Sequence, residues 1–269
     1  MNLNLLIFPG EEISAYDGNE GGMHLLSYCI SKGIGPLYKN NKELYEKEYQ
    51  DILNKLKDKN LIQGLSKKVY ANRVWFVKKV HQVHGYAVIV HPYWVSRQRF
   101  DLNRLVYNQL LEDNLVDAVE VLGDVEPEDN LLSVIKYYGE VAKGKKIPIV
   151  GNSDTHDYPH TYGQYWTMVF AEKLEKKDIF QAIFNLKSVA CEHHSDENFR
   201  AVGPFELVEY ACFLQREFFP LHDKICGLEG ELSMRILEGK DKYSQELTNL
   251  RKELDNLYCK FFQEKVDKI

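Results

Sequence analysis

The sequence lacks several features that would place it in a membrane or in an oxidising compartment. Its five cysteines are odd in number and scattered, and none forms a CxxC pair, which argues against a disulfide framework. The opening residues, MNLNLLIFPGEE, carry neither the basic leader nor the long apolar core of a signal peptide. No stretch approaches the roughly 18 apolar residues of a membrane helix. We therefore expect a soluble, cytoplasmic protein with no membrane contact.

An excess of positive charge is also missing. Lys and Arg total 34 against 40 Asp and Glu, which gives a formal net charge of −6. Proteins that bind nucleic acid usually carry a basic patch, and this sequence has no basic stretch interleaved with aromatic residues. The composition therefore argues against nucleic acid as a partner. It leaves room for a small phosphorylated substrate, which needs only a few local cations.

Short apolar runs alternate with segments of helical periodicity over the first two thirds of the chain. At 269 residues the chain can form one large α/β domain or a medium domain with an appendage. Continuous apolar strands that alternate with helices indicate an α/β fold with βα units and a parallel sheet. The predicted strands are 3–8, 86–90, 116–121, 147–150 and 166–171, and the predicted helices are 41–59, 69–84, 101–114, 129–143 and 176–187.

The pattern changes after Gly203-Pro204, beyond which no strand is predicted. Apolar residues near the end of the chain recur every three or four positions and so form one stripe on a helix. They are Leu247, Leu250, Leu254, Leu257 and Phe261. We therefore predict a domain over 1–203 and a helical C-terminal extension over 204–269. The stripe should pack on the domain or on a second subunit, and recruitment of a regulatory partner is the alternative.

Carboxylates and imidazoles collect at the ends of the predicted strands. In a parallel βα barrel these ends open onto the face where active sites lie. Imidazole and carboxylate ligands without thiolates suit Zn²⁺, Mn²⁺ or Fe²⁺, and such an ion lowers the pKa of bound water to about 7 and so supplies a hydroxide nucleophile. The sequence therefore predicts a metal site on this face. The residues concerned are Glu11 and Glu12, His91, Glu120, Asp154 and His156.

Several of these residues also have an ordinary structural explanation. Asp154 can cap the turn that follows its strand. His24, in EGGMHLLSY, can be a hydrogen-bonded core histidine, and Glu120 can point inward only to bond its neighbours. These alternatives stay open from the residues alone.

Two arginines and two histidines lie in predicted loops. Arg97 and Arg99 follow the segment HPYW, where they can clamp a phosphate bidentately or remain solvated. His193 and His194 lie in the polar stretch EHHSDEN and are predicted to be exposed, away from the site.

Five short motifs appear in an order that resembles the later motifs of the PHP family, which is named for its polymerase and histidinol-phosphatase members. The motifs are FPGEEIS at 8–14, GGMHLLSY at 21–28, VHPYW at 90–94, DAVEV at 117–121 and GNSDTHD at 151–157. The likeness spans residues 5 to about 192. It implies a distorted seven-stranded βα barrel with a cluster of divalent metal ions, commonly three, at its C-terminal face.

The resemblance also implies roles for individual residues. Glu12 would be the bridging carboxylate, and His24 and His91 would complete a metal site with it. Asp154 and His156 would serve the other ions. Because members of the family hydrolyse phosphomonoesters or phosphodiesters, the implied function is a metal-dependent phosphoesterase with Glu12, Asp154 and His156 in catalysis.

The sequence departs from the family pattern at its start, since the printed chain has no HxH strand before LNLLIF. We therefore expect an N-terminally incomplete barrel with a reduced set of metal ligands. A late start codon, a truncated product or a natural loss would each explain it. The alternative function is a catalytically inactive PHP-like module that binds a ligand or partner, and the C-terminal helices are expected to support a homo-oligomer.

Overall fold

The computed structural model of the chain describes residues 6–16, 21–123, 126–156, 163–194, 198–239 and 243–263. The chain divides into two compact units, Met1–Leu207 and Val208–Ile269. All the strands of the described residues belong to the first unit, and the second consists of helices. No helix of the described residues is long and apolar enough to cross a bilayer.

The first unit alternates strands with helices. Its strands are β1 (Gly10–Ser14), β2 (His24–Tyr28), β3 (Tyr86–Ile89), β4 (Val95–Ser96), β5 (Arg99–Phe100), β6 (Ala118–Leu122), β7 (Ile149–Gly151), β8 (Tyr165–Val169), β9 (Ser188–Glu192) and β10 (Arg200–Val202). Its helices are α1 (Ile34–Asn40), α2 (Lys42–Lys55), α3 (Lys67–Gln82), α4 (Arg104–Glu112), α5 (Pro127–Val141) and α6 (Lys176–Phe184).

The main sheet has five strands in the order β1-β2-β3-β6-β7. Strands β3, β6 and β7 are parallel, whereas β2 is antiparallel to both β1 and β3. A second sheet in the order β10-β9-β8 is antiparallel throughout. The α/β class is therefore confirmed, with parallel strands on one side of the main sheet. The described residues form no closed sheet, and the predicted seven-stranded barrel is not confirmed.

The first predicted strand, 3–8, is wrong in the part that the structure describes. Residues 3–5 lie outside the described residues, and 6–8 form no strand. Ile7 is 83% exposed, and strand pairing begins only after Pro9, which has no N–H to donate to a ladder. Strand β2 was not predicted, because HLLSY alternates partly buried and buried residues instead of forming a continuous apolar run.

Helix α3 contributes many buried side chains to the core. Ser66 precedes it and accepts a hydrogen bond from the Val69 amide, as a helix N-cap does. Trp75 and Phe76 are almost fully buried, and so is the charged Arg73, whose guanidinium donates to the Gly21 carbonyl at 2.7 Å. The helix packs against β3 and so supports the strand that precedes His91.

The second unit is built from α7 (Phe205–Glu217), which starts just before it, and from α8 (Phe219–Leu237) and α9 (Ser244–Tyr258), followed by a π-helical turn, Cys259–Gln263. Arg251 of α9 donates to Glu229 of α8 at 2.8 Å. Leu247 and Leu257, two positions of the predicted stripe, are buried. Pairing of these helices with a second copy stays a prediction.

Glu140 near the end of α5 should make the stability of the fold depend on pH. It is 3% exposed and pairs with Lys136, Lys143 and Lys145 at 2.7–2.8 Å. Burial raises the pKa of Glu140, but the hydrogen bonds from the lysines outweigh it and lower that pKa to about 2. Because the folded-state pKa is lowered, the stabilisation is present above the ordinary carboxyl pKa and is lost as pH falls toward about 2.

We expect Glu140→Gln to lower the free energy of unfolding at pH 7 by roughly 1.5–3 kcal/mol, the size of hydrogen bonds to a charged group. Urea denaturation at pH 7 and pH 3 should show a smaller difference from wild type at the lower pH. Glu112→Gln is the matched control, because Glu112 is 54% exposed and pairs with Lys145. Glu112→Gln should lower the free energy of unfolding by less than about 1 kcal/mol. Equal losses from the two variants would contradict the prediction.

Candidate metal-binding site

Three side chains from neighbouring strands meet at one edge of the main sheet. Glu12 lies in β1, His24 begins β2, and His91 follows β3. His24 pairs with Ser14 at the end of β1, and its neighbour Leu25 pairs with Ile89 at the end of β3. Since β2 runs antiparallel to both, its first residue lies where the other two strands end.

The potential ligand atoms of this trio are close together. Glu12 Oε1 lies 2.8 Å from His24 Nδ1 and 3.2 Å from His91 Nε2, and the two imidazole nitrogens are 3.2 Å apart. Two atoms that bind one ion at about 2.0–2.1 Å are themselves roughly 3 Å apart. A carboxylate and two imidazoles are ligands of Zn²⁺ and related ions. The three residues therefore fit a divalent metal ion.

The electrostatics of the trio also suit a cation. Hydrogen bonds from His24 and His91 hold the pKa of Glu12 well below its usual range. Burial lowers the pKa of His91, but the hydrogen bond to Glu12 and the charges of Glu120, Glu12 and Asp154 outweigh it and raise that pKa to about 9. The site thus attracts positive charge, and a metal ion would have to displace the proton of His91.

A cavity of about 420 Å³ lies beside the trio. Asp154 and His156 lie on its wall after β7 but do not join the cluster of ligand atoms. The Asp154 side chain is 23% exposed, and burial raises its pKa. His156 is 79% exposed, and its Nδ1 lies 2.8 Å from the Asp154 carbonyl oxygen. The described lining residues are Glu12, Leu26, Tyr28, Val90, His91, Glu120, Asn152, Ser153, Asp154, Thr155 and His156.

Arg97 and Arg99 do not line this cavity. Both are exposed on the hairpin formed by β4 and β5. Arg97 and Gln98 form its turn with φ values of 53° and 63°, as two-residue hairpins require. The Arg97 guanidinium lies 5.6 Å from the centre of the Tyr16 ring. The structure therefore places these two arginines apart from the cavity wall.

Trp94 contacts the trio and was not predicted as a site residue. Its ring centre lies 5.5 Å from that of His24 and 5.9 Å from that of His91. The amide of Trp94 donates to the His91 carbonyl at 3.0 Å, so a tight turn brings the indole back over the histidines. The motif VHPYW contains Trp94, and an aromatic residue three positions after the predicted ligand His91 was the available signal.

Tyr28 and Asn152 were also missed, although both line the cavity. His24, Leu26 and Tyr28 share one face of β2, since side chains alternate along a strand. Recognition of β2 would therefore have placed Tyr28 beside the site. Asn152, by contrast, lies in the predicted turn GNSDTHD, and its orientation follows only from contacts distant in the sequence.

The two histidines of the stretch EHHSDEN, His193 and His194, follow directly after β9 of the second sheet. His193 is exposed, as predicted. His194 is only partly exposed, contrary to the prediction, because it hydrogen-bonds Glu192 at 3.0 Å and the Tyr165 hydroxyl at 3.2 Å. Neither residue lines the cavity.

No protein-family model matches the chain, and no curated protein matches it. Among solved structures, it is similar to a two-domain protein from Bacteroides vulgatus that is described as containing a predicted PHP-like metal-dependent phosphoesterase. That similarity has a TM-score of 0.45 and 18% identity, and it covers 76% of this chain and 48% of the other, so this chain spans about half the length of that protein.

A second similar structure comes from Bifidobacterium adolescentis and is described as a predicted metal-dependent phosphoesterase. The TM-score is 0.35 and the identity 15%, over 57% of this chain and 69% of the other. Both proteins are described as metal-dependent phosphoesterases, and the first also as PHP-like. PHP is the family that the sequence motifs of this chain resemble.

Proposed function

We propose that the chain binds a divalent metal ion through Glu12, His24 and His91 and hydrolyses phosphate esters in the adjoining cavity. One observation carries the proposal: three ligand atoms lie within 3.2 Å of one another beside a cavity of about 420 Å³. Zn²⁺, Mn²⁺ and Fe²⁺ are the candidate ions, because they accept mixed imidazole and carboxylate ligands.

Different residues of the site would hold the ion and the substrate. Glu12 Oε1 faces both imidazoles, and Ser14 Oγ lies 3.3 Å from His24 Nε2, a contact that helps to orient the ring. Asp154 and His156 on the cavity wall would act as further ligands and in catalysis. A bound divalent ion would supply Lewis acidity toward a phosphoryl oxygen and a lowered pKa for water.

The cavity should accept a phosphate only together with the ion. Its described lining residues include Glu12, Glu120 and Asp154 but no Lys or Arg, so a phosphate alone would meet carboxylates. Arg97 or Arg99 would neutralise phosphate charge if the hairpin moves toward the cavity. The volume fits a small phosphorylated substrate, since ligand cavities commonly measure about 300–1,000 Å³.

A metal-binding module without turnover is the second candidate. It is favoured by the positions of Arg97 and Arg99 away from the cavity wall and by the 79% exposure of His156. In such a module the trio would still bind an ion, while the groups needed for phosphoryl transfer would be too few. The two candidates differ in turnover and agree in metal binding.

Metal analysis and a hydrolysis assay on the full chain test the proposal. We expect the purified protein to bind Zn²⁺ or Mn²⁺, and we expect p-nitrophenyl phosphate or its diester to be hydrolysed with the ion and not after chelation. Isothermal titration and release of p-nitrophenol are the measurements. Absence of a bound ion would overturn both candidates, whereas a bound ion with neither ester hydrolysed would leave the binding module.

A further inference from the structure

A chain of hydrogen bonds centred on one buried carboxylate connects four separate segments beneath the metal-binding trio. Glu120 of β6 is 2% exposed. Its Oε1 accepts the backbone N–H of His91 at 2.8 Å, and its Oε2 accepts the amide of Asn152 at 2.6 Å. The side-chain oxygen Oδ1 of Asn152 in turn accepts a hydrogen bond from the Tyr28 hydroxyl. Both oxygens of the buried carboxyl group therefore have a hydrogen-bond donor, as burial of a polar group requires.

Glu120 accepts hydrogen bonds from two turns, and both turns contain an uncommon backbone conformation. His91 has φ 29° and Asp154 has φ 43°, which is the left-handed region that residues with side chains rarely adopt. Such conformations persist when the surroundings hold them. Glu120 bonds the amide of His91 itself, and through Asn152 it holds the turn that carries Asp154 two residues later.

The turn after β6 is shaped to admit the carboxylate. A Cβ at Gly123 would lie 2.6 Å from Cδ of Glu120 and 2.6 Å from the Asn152 carbonyl oxygen. Any side chain at this position would therefore push the carboxyl group or the Asn152 backbone out of place. The glycine leaves the space in which Glu120 reaches both partners.

We propose that Glu120 is a positioning residue that holds His91 and the Asp154 turn in place for the metal site. The inference rests on the proposed function, because positioning matters here for a bound ion. Glu120 acts through the His91 amide and through Asn152, with Tyr28 fixing the amide of Asn152 from the other side. Outer-shell partners of this kind orient ligands and raise metal affinity.

A reciprocal exchange of two residues tests the hydrogen-bond chain directly. Glu120→Gln alone places an NH₂ group against the NH₂ group of Asn152, unless the Asn152 amide flips and takes its oxygen away from the Tyr28 hydroxyl. Asn152→Asp alone places a second carboxylate against Glu120. The double variant E120Q/N152D restores the pairing. Its new glutamine amide can donate to the new aspartate, which also accepts from Tyr28, and its new carbonyl oxygen can accept from His91. The double variant also keeps one carboxylate in the chain.

We expect each single variant to bind Zn²⁺ about 10–100-fold more weakly, the usual cost of losing an outer-shell partner, and the double variant to return close to wild type. Isothermal titration gives the dissociation constants, and circular dichroism reports whether each variant is folded. A merely structural role would lower the melting temperature and leave the affinity of the folded protein unchanged. Unchanged affinity in the singles, or no recovery in the double variant, would overturn the proposal.

Hydrogen exchange of the metal-free proteins provides a readout that does not depend on the proposed function. We expect the backbone amides of 90–94 and 152–155 to exchange faster in the single variants and to slow again in E120Q/N152D. If the wild-type chain binds no ion, the proposed function fails, and these exchange rates still decide whether Glu120 holds the two turns. Equal exchange in all four proteins would contradict the positioning role.

Discussion

Replacing His91 with alanine should abolish tight binding of a divalent ion. The variant removes one of the three ligand atoms, the Nε2 that lies 3.2 Å from both Glu12 Oε1 and His24 Nδ1. The His91 side chain is also the least exposed of the trio, at 9%, and it lines the cavity beside the candidate metal site. We expect the affinity for the ion to fall by more than the roughly 10–100-fold that removal of an outer-shell partner causes. Titration with Zn²⁺ or Mn²⁺ measures it, and any hydrolase activity should disappear in parallel.

His193→Ala is the matched control, because it removes the same imidazole from a different place. His193 is exposed, does not line the cavity, and interacts with Gln164 through its backbone amide, which the variant keeps. Its ring centre lies 6.4 Å from that of Phe199. Metal affinity should stay at the wild-type value. Equal losses from His91→Ala and His193→Ala would exclude the trio as the binding site.

Replacing Trp75 with alanine should produce the largest loss of stability among the variants considered. Trp75 is 1% exposed, and its indole N–H donates to Glu48 at 2.8 Å. Its ring centre lies 5.0 Å from those of Tyr45 and Phe76. Truncation leaves a cavity and an unpaired Glu48 oxygen, and removal of a buried aromatic side chain typically costs about 3–5 kcal/mol. Urea denaturation followed by circular dichroism measures the free energy of unfolding.

Trp94→Ala makes the same chemical change on the surface. Trp94 is 37% exposed, and its turn is held by the backbone bond to His91, which the variant keeps. Because the Trp94 ring also packs against His24 and His91, where an aromatic pair contributes about 0.5–1.5 kcal/mol, this variant should lose clearly less stability than Trp75→Ala. A loss at Trp94 as large as that at Trp75 would show that the α3 packing does not carry the stability assigned to it.

The residues of the trio could be named from the sequence because each lies in a motif or at a strand end. Their mutual distances could not, because they depend on pairing between segments as far apart as residues 12 and 91. The pairing of β2 decides where His24 lies. The antiparallel register places it opposite Ser14, at the edge where β3 ends. Apolar periodicity identifies strands but does not specify which neighbours they pair with.

Because apolar runs alone do not specify burial or pairing, some strands were predicted wrongly or missed. The run 3–8 was predicted as a buried strand from its apolar residues alone, whereas Ile7 is 83% exposed. β2, β9 and β10 were missed for separate reasons. β2 is buried only on alternate residues, β9 has polar Ser188 and Glu192 at its two ends and so only a three-residue apolar run, and β10 has only three residues. Trp94 and Asn152 were overlooked as site residues because the sequence was searched for imidazole and carboxylate ligands, and an indole and an amide are neither. They matter here through the groups that they contact.

Periodicity and side-chain chemistry are local properties, and they were enough to predict the α/β class, the helical C-terminal segment and the candidate ligands. The motif resemblance implied that Glu12, His24 and His91 share one site. Their distances and the position of Arg97 and Arg99 on a separate hairpin, however, depend on the tertiary structure. The tertiary structure also gave Glu120 its place, because a carboxylate in an apolar strand becomes a buried acceptor only when His91 and Asn152 bring their N–H groups to it. The physical reason is that hydrogen bonds and ligand distances depend on register between distant segments, which no local pattern encodes.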